Sequence, residues 1–141
     1  MKKGFTLIEL LVVITIIGIL LAISIFGLIG ARESSRDVKR KAELEQIRSG
    51  IEVYKSDCNV YPASLGASLV GSGSPSTCAA TNVYIATTPV DPLSPARAYS
   101  YYSNGSTYEV CASLESGTGS VTCGGSSTCG SSTCNYKVTN P

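Results

Sequence analysis

From Leu10 to Ala31 the chain carries no charged side chain, and this stretch limits what the remainder can fold into. About 22 residues at about 1.5 Å each make a helix of roughly 33 Å, which matches a bilayer hydrocarbon core of about 30 Å. Ahead of the run stand Met1-Lys2-Lys3-Gly4-Phe5-Thr6-Leu7-Ile8, and Glu9 lies at its edge. An unpaired carboxylate at the edge of a membrane segment costs a few kcal/mol, which makes Glu9 a candidate functional residue. A conventional secretory signal has a shorter apolar core and a small-residue cleavage site after it. Here Gly4 precedes the run, so cleavage there leaves the hydrophobic helix on the mature protein. A plain anchor or an uncleaved export signal matches the length, but neither gives a reason for Glu9.

Helical character continues past the apolar run. Arg32 to Asp57 is charge-dense and free of proline, and Leu44, Ile47, Ile51, Tyr54 and Cys58 recur at spacings of three and four, one face of an α-helix. The pattern predicts a single helix from Phe5 to about Ser56, roughly 52 residues and 78 Å. Its first half is apolar all round and suits lipid or copies of itself; its second half has one stripe and packs on one partner, the C-terminal domain. Gly18, Gly27 and Gly30 each lower helix propensity by about 1 kcal/mol relative to alanine. In a bilayer such residues admit close packing, so they are candidate points of packing or loosening.

Roughly 84 residues remain for one small extracytoplasmic domain. Asn59-Val60-Tyr61-Pro62 marks the helix stop, because the residue before proline is pushed out of helical space. Gly66 to Pro75 reads as a surface loop, and Val83-Tyr84-Ile85-Ala86 as a short strand. Tyr99–Tyr102 and Thr107–Leu114 flank Asn104-Gly105, a strong hairpin signal. Tyr108, Val110, Ala112 and Leu114 fall on one face and are expected to cover the helix stripe. Ser116 to Thr133 is rich in glycine, serine, threonine and cysteine and is expected to depend on disulfides; Asn135–Val138 reads as a last strand. The fold class is α+β: a long N-terminal helix on a small antiparallel sheet with disulfide-stapled C-terminal loops.

All six cysteines, Cys58, Cys78, Cys111, Cys123, Cys129 and Cys134, follow the apolar run. An even number in a small domain reads as a disulfide framework in an oxidising compartment. Local closure favours Cys58 with Cys78; the pairing of the other four stays open. A zinc site is disfavoured by the absence of histidine and of any Cys-x-x-Cys pair. The cysteines also set the orientation. Lys2 and Lys3 mark a cytoplasmic N-terminus, and although Arg32, Arg36, Lys39, Arg40 and Lys41 argue for the reverse by number, disulfides require the C-terminal side to lie outside.

Electrostatics and chemistry exclude further classes. The formal net charge is +1, which gives no whole-chain case for nucleic acid. The local cluster Lys39-Arg40-Lys41 has Asp37, Glu43 and Glu45 beside it and reads as a solvated or intersubunit ion-paired helix face. Beyond Asp57 the charged residues are Asp91, Arg97, Glu109, Glu115 and Lys137. Without histidine and with so few titratable groups, no converging catalytic set is expected, and the reading is not an enzyme.

The stretch Gly4-Phe5-Thr6-Leu7-Ile8-Glu9 closely resembles the class III signal of type IV pilins and type II secretion pseudopilins. The resemblance implies a leader of residues 1–4 cut by a prepilin peptidase between Gly4 and Phe5, N-methylation of Phe5, and Glu9 as the assembly carboxylate. It further implies an assembly helix over 5–31, an amphipathic continuation over 32–57 and a β domain over 58–141, the lollipop of that family. Many type IV pilins have a helix-breaking proline where this chain has Phe26, which leaves Gly27 and Gly30 as the places to loosen. Tyr61-Pro62, Asp91-Pro92 and the tyrosine-rich hairpin are similar to the major pseudopilin and to the small Gram-positive or candidate-phylum type pilins; in major pseudopilins a C-terminal loop holds calcium through acidic side chains and carbonyls. This chain has no Asp or Glu after Glu115, so no calcium site or other cofactor is carried over.

Three functions compete on these grounds: a type IV pilus subunit serving adhesion, motility or DNA uptake; a pseudopilin of type II protein secretion; and a membrane-anchored binding domain that does not polymerise. The first two imply as partners identical or related subunits, the peptidase and methyltransferase, and an assembly platform with its ATPase. They also imply a single-pass membrane protein that moves into an extracellular pilus or periplasmic pseudopilus.

Overall fold

The structure is a computed structural model and describes residues 4–141; the leader residues Met1, Lys2 and Lys3 lie outside the described residues. It divides into two compact units, Met1–Ser35 and Arg36–Pro141. Helix α1, Leu7–Cys58, is 52 residues long and continuous through Gly18, Gly27 and Gly30, at each of which an added Cβ would meet nothing within 4 Å.

In the first unit the helix is exposed all round. Leu10, Ile14, Ile17, Leu20, Ile23 and Leu28 each keep half or more of their surface uncovered. This part of the chain is long and apolar enough to cross a membrane.

The second unit is built on the predicted stripe. Leu44, Ile47, Ile51, Tyr54 and Cys58 are buried against Tyr108, Val110 and Ala112 of a three-stranded antiparallel sheet. That sheet comprises β3 (Ser100–Ser103), β4 (Tyr108–Ala112) and β7 (Tyr136–Thr139), ordered β3-β4-β7. Strands β3 and β4 form the hairpin around Asn104-Gly105, where the Asn104 side-chain oxygen accepts from the amides of Ser106 and Thr107, and Gly105 takes φ +82°. Central strand β4 is buried on both faces: Val110 meets the helix, and Cys111, pointing the other way, joins Cys123, Cys129 and Cys134 in a second buried cluster.

Three details depart from the sequence reading. The helix runs to Cys58 and stops because Asn59 adopts φ 61°, while its amide and the Lys55 side chain cap the last turn. The pre-proline restriction at Tyr61 therefore acts only after the helix has ended. Gly66–Pro75 is not wholly loop: it holds β1 (Leu69–Val70), antiparallel to β2 (Val83–Ile85), with Leu69 buried. Ser116–Thr133 likewise contains a small hairpin, β5 (Thr128–Cys129) with β6 (Ser132–Thr133), packed around its own cystines. Gly50 explains how β2 reaches the helix. An added Cβ there would lie 2.4 Å from Ile85 Cγ1, so the helix tolerates a poor helix former to admit the strand.

Candidate assembly site and the seam that supports it

Glu9 is engaged within its own chain. Thr6 stands just before the first helical residue and its amide donates to Glu9 Oε2 at 2.8 Å, as does its hydroxyl at 2.7 Å. The Glu9 amide donates back to Thr6 Oγ1 at 3.3 Å. This is a capping box, the Thr-x-x-Glu pattern that satisfies otherwise orphaned amides at a helix start. The pattern was in the sequence. The one carboxylate thus serves both as a local cap and as the lone acidic group at the edge of the apolar run. Glu9 Oε1 makes no hydrogen bond among the described residues, and the carboxylate shares a shallow apolar groove with Phe5, Ile8, Val12 and Val13. Gly4 and Phe5 lie outside regular secondary structure before the cap, with Phe5 88% exposed.

The second unit is held to its part of the helix by charge. Arg40 is fully buried while Lys39 and Lys41 beside it stay exposed, so the expectation of a solvated or intersubunit ion-paired helix face is corrected at Arg40. Its guanidinium donates to Asp91 through Nε at 2.8 Å and Nη2 at 3.1 Å, and through Nη1 to Asp37 and Glu115, both at 2.8 Å. Arg36 binds the same Glu115 bidentately at 2.6 and 2.5 Å. Asp37 also accepts from the amides of Glu115 and Ser116 and from the Ser116 hydroxyl. Burial pushes the Asp37 carboxyl up, but these donors overcome it and hold it at about 2. Arg36 first, and then Arg40 against the opposing effect of burial, bring Glu115 to about 2 as well. Burial pulls Arg40 down, yet its three carboxylate partners more than reverse this and raise it above its ordinary value.

Further along the seam, helix carboxylates receive tyrosine hydroxyls. Tyr99 donates to Glu43, Tyr61 and Tyr108 to Glu52, and Tyr84 to Asp57. Burial, then the adjacent carboxylates, push Tyr99 and Tyr108 up, and burial takes Tyr101 to about 12. The tyrosines therefore act as neutral donors. Disulfides complete the unit: Cys58–Cys78, Cys111–Cys123 and Cys129–Cys134, with no free cysteine among the described residues. No group of three or more His, Cys, Asp or Glu side chains arranged to hold a metal ion occurs among the described residues.

An apolar, capped helix start and a separate disulfide-bonded α+β unit is the combination that two family models match. The first, a prokaryotic N-terminal methylation motif, covers residues 1–29. The second, type II secretion system protein G, covers residues 27–124. The chain belongs to the type II secretion system protein G family. Among relatives, it is 36% identical over 62 residues to a type II secretion system core protein G of Pectobacterium carotovorum, covering 44% of this chain and 40% of that protein. It is 34% identical over 61 residues to the core protein G of Escherichia coli K12, covering 43% and 42%. With the type IV wide pilus major component PilA4 of Thermus thermophilus it shares 45% identity over 65 residues, covering 46% of this chain and 50% of that protein. Each match spans half or less of the relative's own length. No solved structure matches the chain. The family is one of structural subunits, pseudopilins and pilins.

Proposed function

We propose that this chain is a filament subunit of a type IV pilus, cut between Gly4 and Phe5, N-methylated on Phe5, and polymerised through the first part of α1. The observation that carries the reading is the all-round exposure of the apolar helix up to Ile29, a surface that water does not tolerate and that is left uncovered. The methylation motif over the same residues supports it. Before assembly the helix lies in the membrane with the second unit outside the cytoplasm.

Polymerisation then follows from symmetry and energy. Identical helices packed head to tail make a heterologous contact that does not close, and so a fibre. Lipid is as apolar as a core of such helices, so the transfer itself supplies little drive. An assembly ATPase on a platform must extract each subunit. Glu9 sets the axial stagger. Cleavage gives Phe5 a charged amine, and Glu9 Oε1 of a neighbouring subunit is the acceptor for it, while Thr6 holds the carboxylate through Oε2. Gly18, Gly27 and Gly30 allow the helices close approach, or local loosening, inside the filament.

A second reading, a pseudopilin of type II protein secretion, is favoured by the family model over residues 27–124. Two measurements test the proposal. Intact mass of membrane-extracted protein should give a chain beginning at methylated Phe5; retention of Met1–Gly4 in cells with an active prepilin peptidase would sink it. Deleting the gene should abolish shear-released surface filaments and leave secretion of extracellular enzymes intact. The opposite pattern would establish the pseudopilin.

A further inference from the structure

The second unit has two clefts of similar size, and their polar linings differ. In the cleft against Ile47 and Val110, about 360 Å³, all the lining hydroxyls but that of Ser64 are already engaged: Tyr99 with Glu43, Tyr101 with the Pro62 carbonyl, Thr88 with Gly66 and Ser100 with Thr128. It offers a ligand little to bind. The second cleft, about 370 Å³, lies on the sheet face turned away from α1. Tyr101 packs toward the core, so the next residue, Tyr102, stands on the opposite face. There it forms one cross-strand row with Glu109 and Thr139, set by the registers Tyr102↔Glu109 and Glu109↔Thr139.

The cystine loop builds the rim of this row. The Gly124 amide donates to Glu109 Oε2 at 2.8 Å, and an added Cβ at Gly124 would fall 2.3 Å from the Tyr102 ring, so the loop backbone lies directly against the aromatic. Gly124 also has φ +58°, which favours glycine. Lys137 neutralises Glu109 through Oε1 at 2.8 Å. Two bonds leave the carboxylate with acceptor capacity. The Tyr102 hydroxyl, the Thr122 hydroxyl and the Asn140 side-chain amide make no hydrogen bond among the described residues. Tyr102 is 47% exposed.

We infer that this cleft is a binding site for a neutral sugar ring, with Tyr102 as the stacking platform and Glu109, Asn140 and Thr122 as hydroxyl partners. A pyranose has an apolar C–H face and a rim of hydroxyls that both donate and accept. The tyrosine ring complements the face. The carboxylate accepts, and the amide does both. The Lys137–Glu109 pair leaves no uncompensated charge to attract an ion, and a purely apolar ligand would leave the amide and hydroxyls without partners. The volume falls in the range of small-ligand sites, about 300 Å³ or more.

The test uses the full chain in phosphocholine micelles, which carry no sugar headgroup, titrated separately with cellotriose and chitotriose and followed by amide NMR. Saturable millimolar shifts at Tyr102, Gly124 and Asn140 with either sugar, and none at Ser64 or Val90 of the other cleft, are expected. Tyr102→Ala should weaken binding about tenfold, while Tyr102→Phe keeps most of it. Retained resonance dispersion shows that the variants are folded. No saturable shift at the three amides with either sugar, or equal binding by Tyr102→Ala, overturns the proposal.

Discussion

The two units treat their demanding groups in opposite ways. In Arg36–Pro141 each charged side chain beyond Asp57 has an internal partner: Asp91 and Glu115 pair with the helix arginines and Glu109 with Lys137, while Arg97 donates to the Ser113 carbonyl and hydroxyl. Its apolar stripe is covered and its cysteines are bridged. In the first unit the reverse holds, with an uncovered apolar surface and a carboxylate of which one oxygen is engaged and the other makes no hydrogen bond among the described residues. One unit is complete as a monomer and the other is complete only among other molecules. Substitutions in the second should therefore register as stability, and in the first as assembly.

The sharpest way to break that division is Glu9→Ala. Removing the carboxylate weakens the capping box only at a helix end far in sequence from the folded sheet. The variant should be inserted, cleaved and disulfide-bonded normally, yet yield few or no sheared filaments. Wild-type filament abundance in cells lacking other pilins would remove Glu9 from assembly altogether. Thr6→Val sharpens the point: it deletes the hydroxyl that holds Oε2 but keeps the amide bond, so assembly should fall only in part.

In the second unit the largest expected effect is Arg40→Ala. It leaves Asp37, Asp91 and Glu115 converging around a void, with only Arg36 still compensating Glu115. Breaking a buried ion cluster by removing one partner costs about 3–5 kcal/mol. Urea unfolding of the full chain in micelles should show that loss, with filament abundance affected only through protein level. A midpoint unchanged from the unsubstituted chain would mean that the cluster contributes no stability.

Acid probes the same cluster with a smaller effect. The Asp37 carboxyl is held at about 2 against an ordinary 3.8, and Glu115 at about 2 against 4.5. Carboxyls depressed by folding contribute stability that is complete above their unfolded values and is lost as pH falls through the folded ones. For Asp37 alone this amounts to about 2 kcal/mol. Stability should be flat above about pH 5 and should decline from there toward pH 2. Arg40→Ala should flatten only part of the decline, because Ser116 and the Glu115 amide still hold Asp37 down and Arg36 still holds Glu115 down.

How much of this was legible depends on where the partners lie in sequence. The stripe Leu44, Ile47, Ile51, Tyr54 and Cys58 and the Asn104-Gly105 hairpin are local patterns, and the structure contains both. The burial of Arg40 was not local. Its partners Asp91 and Glu115 are 51 and 75 residues away, whereas its sequence neighbours Lys39, Lys41, Glu43 and Glu45 suggested a wet face. Strand β1 was hidden because two residues inside a serine- and glycine-rich stretch carry no periodicity. The role of Gly50 was equally silent, since only the approach of Ile85 explains it.

The smallest expected effect is that of a chelator, and it follows from the position of Arg40. Where acidic side chains converge in this unit, the positive charge that balances them belongs to the chain itself, a guanidinium bonded to three carboxylates. The cystine-stapled segment after Glu115 has no Asp or Glu to recruit a hard cation. EDTA should therefore leave the melting temperature of the full chain in micelles unchanged. Arg40→Ala turns this into a contrast: it exposes Asp37, Asp91 and Glu115 to one another, and calcium should then recover part of the lost stability, because a divalent ion can replace the missing charge among oxygen ligands. A fall of several degrees when EDTA is added to the unsubstituted chain would show that a cation outside this cluster holds the unit, and that its charge balance is not internal.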